Sequence, residues 1–492
     1  MQRYGRPATV EWTPAVEVSG GGSVPVRPRA STRALRRTAD FPPVGYTPPA
    51  RPAGRAGVGR WLWHSAFWLG LAATIGAWWL NTSAGSLTTS GPALTAAGRI
   101  TGLVGGYLLI VQVVLMSRLG WLERTLGAHR LTLWHRELGG FLVVAVLAHA
   151  VLITFGYARM ARMGLLHETW IMLSRNEVLV AASVATALLV GIGLLGIRGL
   201  RRVLPYEVWY YLHLTAYLIL LLGYGHQFTA GAELQLPGPA RTLWIGLYGF
   251  AIFAIAWGRL VAPLALNLRH RLRVAGVVDE APGMASVYVT GRRLDELNAR
   301  AGQFFRWRFM TRRGWWQAHP FSLSAAPNQH WLRLTVKAVG DHTKEVHRLR
   351  PGTRVYLEGP SGEFTADRRT RPRALLIAGG SGIAPIRALL EDLPTGAVVI
   401  YRSSTMGDLA FRHELEWLAE SRGADLWYVV GSRDDPGPKH LFTPRGLRRL
   451  VPDVARRDTY LCGPQPLVDT SLALLRRLRV PERQIHLDLF EF

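Results

Sequence analysis

The spacing of hydrophobic and polar positions changes character three times along the chain. Residues 1–57 show no apolar period and are rich in Pro, Gly and Arg (VPVRPRASTRALRRTADFPPVGYTPPARPAGRAG), so they cannot bury enough apolar surface to fold. Continuous apolar runs follow at about 61–80, 98–117, 133–155, 178–197, 207–228 and 241–262. Each is near the roughly 20 residues that a helix needs to cross a bilayer. Beyond about residue 270 the runs give way to short alternating segments bounded by Gly and Pro, such as LRVAGVVDEAPGMASVYVTG, AGQFFRWRFM, HPFSLSAAP, WLRLTVKAV and RVYLEGPSG. These predict a small antiparallel β-barrel. Near 371 strand-like and helix-like periods alternate: ALLIAGG with APIRALLEDL, AVVIYRSS with FRHELEWLAES, ADLWYVVGS with TPRGLRRLV, TYLCGP with PLVDTSLALLRRL. That order predicts an open parallel α/β sheet. The expected fold is multidomain: a disordered basic tail (1–57), a six-helix transmembrane bundle (58–265), an antiparallel β-barrel domain (266–368) and a parallel-sheet α/β domain (369–492).

Charge orients the six runs. Arg118, Arg124, Arg130 and Arg136 surround the second connection, Arg198, Arg201 and Arg202 lie in the fourth, and Arg259, Arg269, Arg271 and Arg273 follow the sixth run. The first connection is uncharged and the fifth has only Glu233. The third carries Arg159, Arg162 and Arg175, which weakens the bias without reversing it. The tail and the C-terminal half are therefore expected in the cytoplasm of a multi-pass protein of the cell membrane, with the tail touching anionic headgroups.

Runs three and five each hold a histidine pair. His135 and His149 are fourteen residues apart; His213 and His226 are thirteen apart. At helical rise these spacings separate two imidazoles by roughly 20 Å and keep each pair near one helix face. Both runs go from inside to outside in the orientation above. His135 then meets His213 at the inner level, and His149 meets His226 at the outer level. Ionisable groups in hydrocarbon are costly and tend to be functional, and four of the 15 His lie in these two runs. The arrangement predicts two haems in series, each iron held by an imidazole from both helices. Iron saturated in this way passes electrons and does not readily bind a substrate.

Composition narrows the alternatives. A formal charge of +25 raises the question of nucleic acid, but the Arg residues lie in the tail, in membrane-flanking loops and in scattered positions, with no nucleic-acid-binding motif. The single Cys excludes an intrachain disulfide framework and a Cys-ligated cluster or zinc site. The first fifty residues lack an apolar core, so no cleavable signal is expected there.

Two groups of motifs carry chemistry in the second half. The strand ALLIA ends in Gly379-Gly380-Ser381-Gly382-Ile383-Ala384-Pro385 and leads into a helix. Such a turn lets a backbone approach a pyrophosphate at a helix N-terminus. The next strand ends in Tyr401-Arg402-Ser403-Ser404, where an Arg and a hydroxyl suit a 2′-phosphate and hence NADPH over NADH. Cys462-Gly463-Pro464 ends the last long strand, on the edge where such sheets bind ligands. His319-Pro320-Phe321-Ser322-Leu323-Ser324, then Lys337, Gly340, Asp341, His342 and Thr343, then Gly359-Pro360-Ser361-Gly362, supply hydroxyls and main-chain NH groups suited to a flavin.

In this order, behind a six-span core with paired histidines, these segments resemble the ferric reductase and NADPH oxidase superfamily of membrane flavocytochromes. The cytosolic half resembles the ferredoxin–NADP reductase fold, and the resemblance covers about residues 60–492. It implies that His135, His149, His213 and His226 ligate two haems b. It implies that His319, Pro320, Phe321 and Ser322 line FAD, with Ser322 near the ring and Thr343 near the phosphates. Gly379, Gly380, Gly382 and Pro385 would hold the dinucleotide, and Cys462 would lie near the hydride-donating carbon. The ending IHLDLFEF resembles one in which an aromatic covers the flavin, with Phe490 the better fit and Phe492 the second. The usual PGQF reads Ala301-Gly302-Gln303-Phe304 here, and no calcium-binding EF-hand loop is present. The implied activity is electron transfer from NADPH through FAD and both haems to an outside acceptor. The outer connections hold no acidic or Cys/His cluster to bind iron, since His167 and Glu168 are too little. Dioxygen giving superoxide is therefore expected, ahead of an Fe3+ chelate and, lower, a quinone or partner reductase. A transporter or receptor with packed histidines is the reading of a different class; it would lack a haem Soret band.

Overall fold

The computed structural model describes residues 55–196, 204, 206–312, 314–432 and 434–488. The expected tail up to residue 54, Arg198, Arg201 and Arg202 of the fourth connection, and Phe490 and Phe492 lie outside the described residues. The chain divides into two compact units, one ending at Ala262 and the other starting at Pro263.

The first unit is helical. Among the described residues five helices are long and apolar enough to cross a membrane: Ser90–Leu115, Arg130–Ala161, Glu177–Leu195, Val208–Thr229 and Pro239–His270. The first expected run also forms a helix, Arg55–Leu80, but it is not among those five. At 26 residues it is long enough; Trp61, Trp63, Trp68, Trp78, Trp79 and His64 dilute its apolar character. It is laced to its neighbour by Trp78 Nε1, which donates to Ala96 O at 2.8 Å, and by Tyr107 OH, which donates to Phe67 O at 2.8 Å. Large apolar side chains point outward from the spanning helices, with Phe141 67% and Leu221 71% exposed. Such a surface suits hydrocarbon and not water.

Two of the expected apolar runs depart from uniform helices. The fifth is interrupted at Thr215 between Tyr206–Leu214 and Ala216–Thr229. There Thr215 N and Oγ1 both donate to Leu212 O, at 3.1 and 2.7 Å, tightening one turn. The sixth passes through a π-helical turn at Ala256–Val261 and continues to His270. Beside that turn Arg259 donates to Met116 O, through NH2 at 2.6 Å, and so satisfies a carbonyl left open at the end of Ser90–Leu115. Glu233, the lone charge of the fifth connection, is buried and accepts from Arg99 Nε at 2.7 Å.

The second unit has two lobes. Where a barrel was expected, β1 (Arg273–Ala281), β2 (Met284–Thr290) and β5 (Leu332–Lys337) form one three-stranded antiparallel sheet. β4 (His319–Ser322), β3 (Phe304–Phe309) and β6 (Val355–Ser361) form another. Isolated bridges Arg273–Arg354 and Leu323–Leu334 join them. Both sheets face one core: Phe305, Trp307 and Phe309 from β3 meet Val287, Val289, Leu334 and Val336. The alternate β3 positions, Phe304, Arg306 and Arg308, are half-buried, as a period of two requires.

The other lobe is a five-stranded parallel sheet in the order β11-β10-β7-β8-β9. The strands are β7 (Ala374–Gly379), β8 (Val398–Ser403), β9 (Asp425–Val430), β10 (Asp458–Cys462) and β11 (Ile485–Asp488). Leu376, Ala378, Val399 and Tyr401 pack on one face; Leu375, Ile377, Val398 and Ile400 pack on the other. Burial on both faces explains the unbroken apolar runs of these strands.

Candidate functional site

The helical unit brings its four histidines together in the expected pairs. The ring centroids of His135 and His213 are 5.8 Å apart, and those of His149 and His226 are 6.2 Å apart. His149 Nδ1 lies 2.8 Å from Gly98 O, which fixes that nitrogen as the donor and leaves the lone pair on Nε2. The ring fits because residue 102 has no side chain: a Cβ on Gly102 would stand 2.5 Å from His149 Nδ1. His213 stacks on Trp209 with 5.1 Å between centroids. Gln112 Nε2 donates to His135 O at 2.9 Å, tying the His135 turn to the Ser90–Leu115 helix. Among the described residues no three His, Cys, Asp or Glu groups gather around a common point, so the imidazoles are available as pairs only.

In the second unit the carboxyl ends of the parallel strands collect the expected dinucleotide residues. Gly379 at the end of β7 pairs with Arg402 of β8, and Ala378 pairs with Cys462 of β10. The Gly380–Gly382 turn then enters the helix Ile383–Asp392, which includes Pro385. Gly380 has φ +53° and open space where a Cβ would be, whereas a Cβ on Gly382 would meet Cys462 O at 2.2 Å. The turn thus lies flat on the Cys462-Gly463 backbone and turns its open side outward. Pro464 starts the Gln465–Arg477 helix on the same edge. Arg402 is folded back, with NH1 donating to Val429 O at 3.1 Å, and Ser403 beside it is buried.

A residue missed from the sequence completes the edge. Asp488, the last residue of β11, is in register with Cys462. Its Oδ2 accepts from Ser322 Oγ at 2.9 Å, across from the parallel lobe to β4 of the antiparallel one. Burial pushes the Asp488 carboxyl up to about 6, against the pull of the Ser322 hydrogen bond. Burial, and then Asp488, hold the Cys462 thiol well above its usual range. Ser322, Cys462 and Asp488, far apart in sequence, therefore form one cluster where the two lobes meet.

The other residues expected at a flavin are spread along the antiparallel lobe. His319 stacks on Phe321 at 6.2 Å, Phe321 O accepts from Trp307 Nε1 at 2.9 Å, and Pro320 between them is exposed. Gly359 and Gly362 flank the end of β6, where Gly362 O accepts from Gln303 Nε2 at 3.3 Å. Lys337 ends β5 exposed, ahead of Gly340. Thr343 Oγ1 accepts from Val339 N and Gly340 N, each at 2.9 Å, so its hydroxyl shapes the turn into Asp341–Val346. Ser324 is buried, and its hydroxyl accepts from Arg333 Nε and Thr335 Oγ1 at 3.1 and 2.7 Å. It serves the interior of the lobe.

Comparison with known proteins defines the class. Residues 101–224 match the ferric reductase like transmembrane component, 280–365 an FAD-binding domain and 376–472 an oxidoreductase NAD-binding domain. A flavohemoprotein of Oceanobacillus iheyensis is 29% identical over 188 residues, which are 35% of this chain and 46% of that protein. The ferredoxin reductase component of a 3-ketosteroid-9-alpha-monooxygenase from Mycolicibacterium smegmatis is 30% identical, over 45% of this chain and 65% of that protein. An NADPH oxidoreductase of Mycobacterium tuberculosis is 26% identical, over 47% of this chain and 62% of its own length. The chain thus spans about half to two thirds of these relatives. The FAD/NAD-binding domain of a nitric oxide dioxygenase from Vibrio cholerae aligns with a TM-score of 0.37 at 25% identity, over 45% of this chain and 98% of that one. The chain thus carries an FAD-binding domain and an oxidoreductase NAD-binding domain behind a ferric reductase like transmembrane component. Its transmembrane component, FAD-binding domain and NAD-binding domain, in that order, are the architecture of the ferric reductase and NADPH oxidase superfamily.

Proposed function

We propose that the chain carries electrons from cytosolic NADPH across the cell membrane, by way of FAD and two b-type haems, to dioxygen on the outer side, giving superoxide. The six spans would be Arg55–Leu80 and the five more apolar helices, with both termini in the cytoplasm. The observation that carries this reading is the two pairs of facing imidazoles, at 5.8 and 6.2 Å, in a chain whose other unit matches FAD- and NAD-binding domains. Two nitrogens at roughly 2 Å from one metal put their ring centroids about 6 Å apart. The donor set therefore fits haem iron, held by His135 with His213 and by His149 with His226. The hydrogen bond from His149 Nδ1 to Gly98 O orients its ring for that task.

When bound, FAD accepts a hydride and releases single electrons, the only kind a haem takes. The chain's own residues prepare that exchange. Gly379, Gly380 and Gly382 would let the main chain approach a pyrophosphate at the start of Ile383–Asp392. The Asp488 carboxylate holds the Ser322 hydroxyl as a donor and so fixes its rotamer. Cys462 keeps its proton and adds no charge beside a hydride path.

Two outcomes follow. Gly102→Ala drives a methyl into His149 and is expected to halve the haem content without affecting flavin; pyridine haemochromogen assay checks this. Arg402→Ala is expected to raise KM for NADPH about tenfold and to leave KM for NADH within about twofold, as for loss of one phosphate-binding Arg. The match to a ferric-reductase component favours an Fe3+ chelate as the second acceptor reading. The deciding experiment follows NADPH consumption by purified protein with FAD, comparing superoxide-dismutase-sensitive cytochrome c reduction with Fe3+-chelate reduction.

A further inference from the structure

A buried ion network joins the two lobes of the reductase unit. Arg333, on β5 of the antiparallel lobe, is 1% exposed. Its Nε donates to Ser324 Oγ at 3.1 Å and its NH2 to Ser324 O at 2.8 Å, two residues past Ser322. Its NH1 also reaches Tyr288 OH at 3.3 Å. The two terminal nitrogens grip both oxygens of Glu414, each at 2.9 Å. Glu414 belongs to the parallel lobe, on the Arg412–Arg422 helix, where it also accepts from Arg387 Nε at 2.8 Å. Arg387 is 1% exposed as well and lies on Ile383–Asp392, the helix that the dinucleotide turn starts. Glu391 of that helix pairs with Arg387 NH1 at 2.5 Å and accepts from Ala326 N at 2.6 Å, just past the flavin strand. The Phe411 ring closes the site 4.7 Å from the Arg333 guanidinium.

This network is an expensive way to stabilise a fold. Well-packed apolar residues of similar volume serve stability as well or better than a buried ion pair. What an Arg–carboxylate fork adds is geometry, since two parallel bonds fix both distance and angle. Burial alone would raise the Glu414 carboxyl, but Arg333 and Arg387 outweigh it and hold it at about 2, so the fork stays charged. Hydride transfer is sensitive to such geometry: a misplacement of about 1 Å can cost roughly 100-fold in rate.

We propose that Arg333, Glu414 and Arg387 form an interlobe clamp that sets the distance from the flavin strand to the dinucleotide turn. They are positioning residues, acting through Ser324 on one side and Ile383–Asp392 on the other. The proposal rests on reading β4 as part of the FAD site and Gly379–Pro385 as part of the NADPH site.

The test is stopped-flow reduction of the flavin by NADPH in purified full-length protein. Glu414→Gln strands two guanidinium groups and is expected to fold poorly. The informative variants are Arg333→Lys, which keeps the charge and loses the fork, and Arg333→Met combined with Glu414→Leu, which removes both charges. The double variant leaves Arg387 its pairing with Glu391 and is expected to fold and keep its FAD. Its flavin reduction rate at saturating NADPH should fall about 10- to 100-fold while the NADPH dissociation constant moves by less than about threefold. Arg333→Lys should fall between. A folded, FAD-replete double variant, or Arg333→Lys, that reduces its flavin at the wild-type rate would overturn the clamp alone. A wild-type protein whose bound flavin is inert to NADPH would overturn the site reading and the clamp together.

Discussion

Replacing His213 with alanine is expected to abolish electron delivery across the membrane while NADPH still reduces the flavin at a rate within about twofold of wild type. His213 and His135 face each other at 5.8 Å from separate helices, and no other His, Cys, Asp or Glu among the described residues joins them to complete a metal site. Removing one imidazole would leave a bound iron with a single protein ligand. Loss of an outer-shell partner alone typically costs 10- to 100-fold in affinity or activity, and loss of a ligand is expected to exceed about 100-fold. The measurement is a pair of assays on one preparation: anaerobic flavin bleaching by NADPH, and acceptor reduction in vesicles. Full vesicle activity in the variant would count against the pairing. Because the reductase unit contains none of the four histidines, the two readouts should separate cleanly.

Asp488→Asn is expected to slow NADPH-dependent flavin reduction about 100-fold, a loss typical of a misplaced proton-holding group. Stopped-flow traces across pH check the cause. Burial raises the Asp488 carboxyl to about 6, so in wild type the ionised form that holds Ser322 Oγ is present above pH 6 and lost below it. The wild-type rate should climb with an apparent pKa near 6 and then level off, and Asp488→Asn should flatten that step. Stability moves in the opposite sense. A carboxyl whose folded pKa is raised contributes most below its unfolded pKa and loses that contribution as pH climbs through 6. The Asn variant should therefore match or exceed the wild type in thermal stability at pH 8, although it is the slower enzyme.

The pattern of the chain made the elements legible and left their meeting points hidden. The four histidines could be paired from spacing and charge bias because helix geometry turns fourteen residues into a fixed distance along one face. The Gly379–Pro385 turn, Arg402 and Cys462 were legible for a related reason: in a parallel sheet such residues recur at the same carboxyl edge. Asp488 escaped because its role depends on β11 lying beside β10, a long-range pairing with no local signal. The cue it did leave is an acidic residue in a short apolar strand, two positions before Phe490. Arg333 and Glu414 are 81 residues apart, and no local pattern in either segment links them. Ser324 stands out as part of the HPFSLS motif, and what that motif cannot show is that its hydroxyl meets Arg333 and Thr335. The first apolar run shows the limit of counting apolar residues: its tryptophans and His64 lower its apolar character.

The most direct test of the central claim is the haem content of the purified full-length chain by pyridine haemochromogen assay, beside a variant with His135, His149, His213 and His226 all replaced. Two b-type haems per wild-type chain and none in the variant is the predicted result. A wild-type preparation without haem, or a variant that keeps its full Soret absorbance, would contradict it.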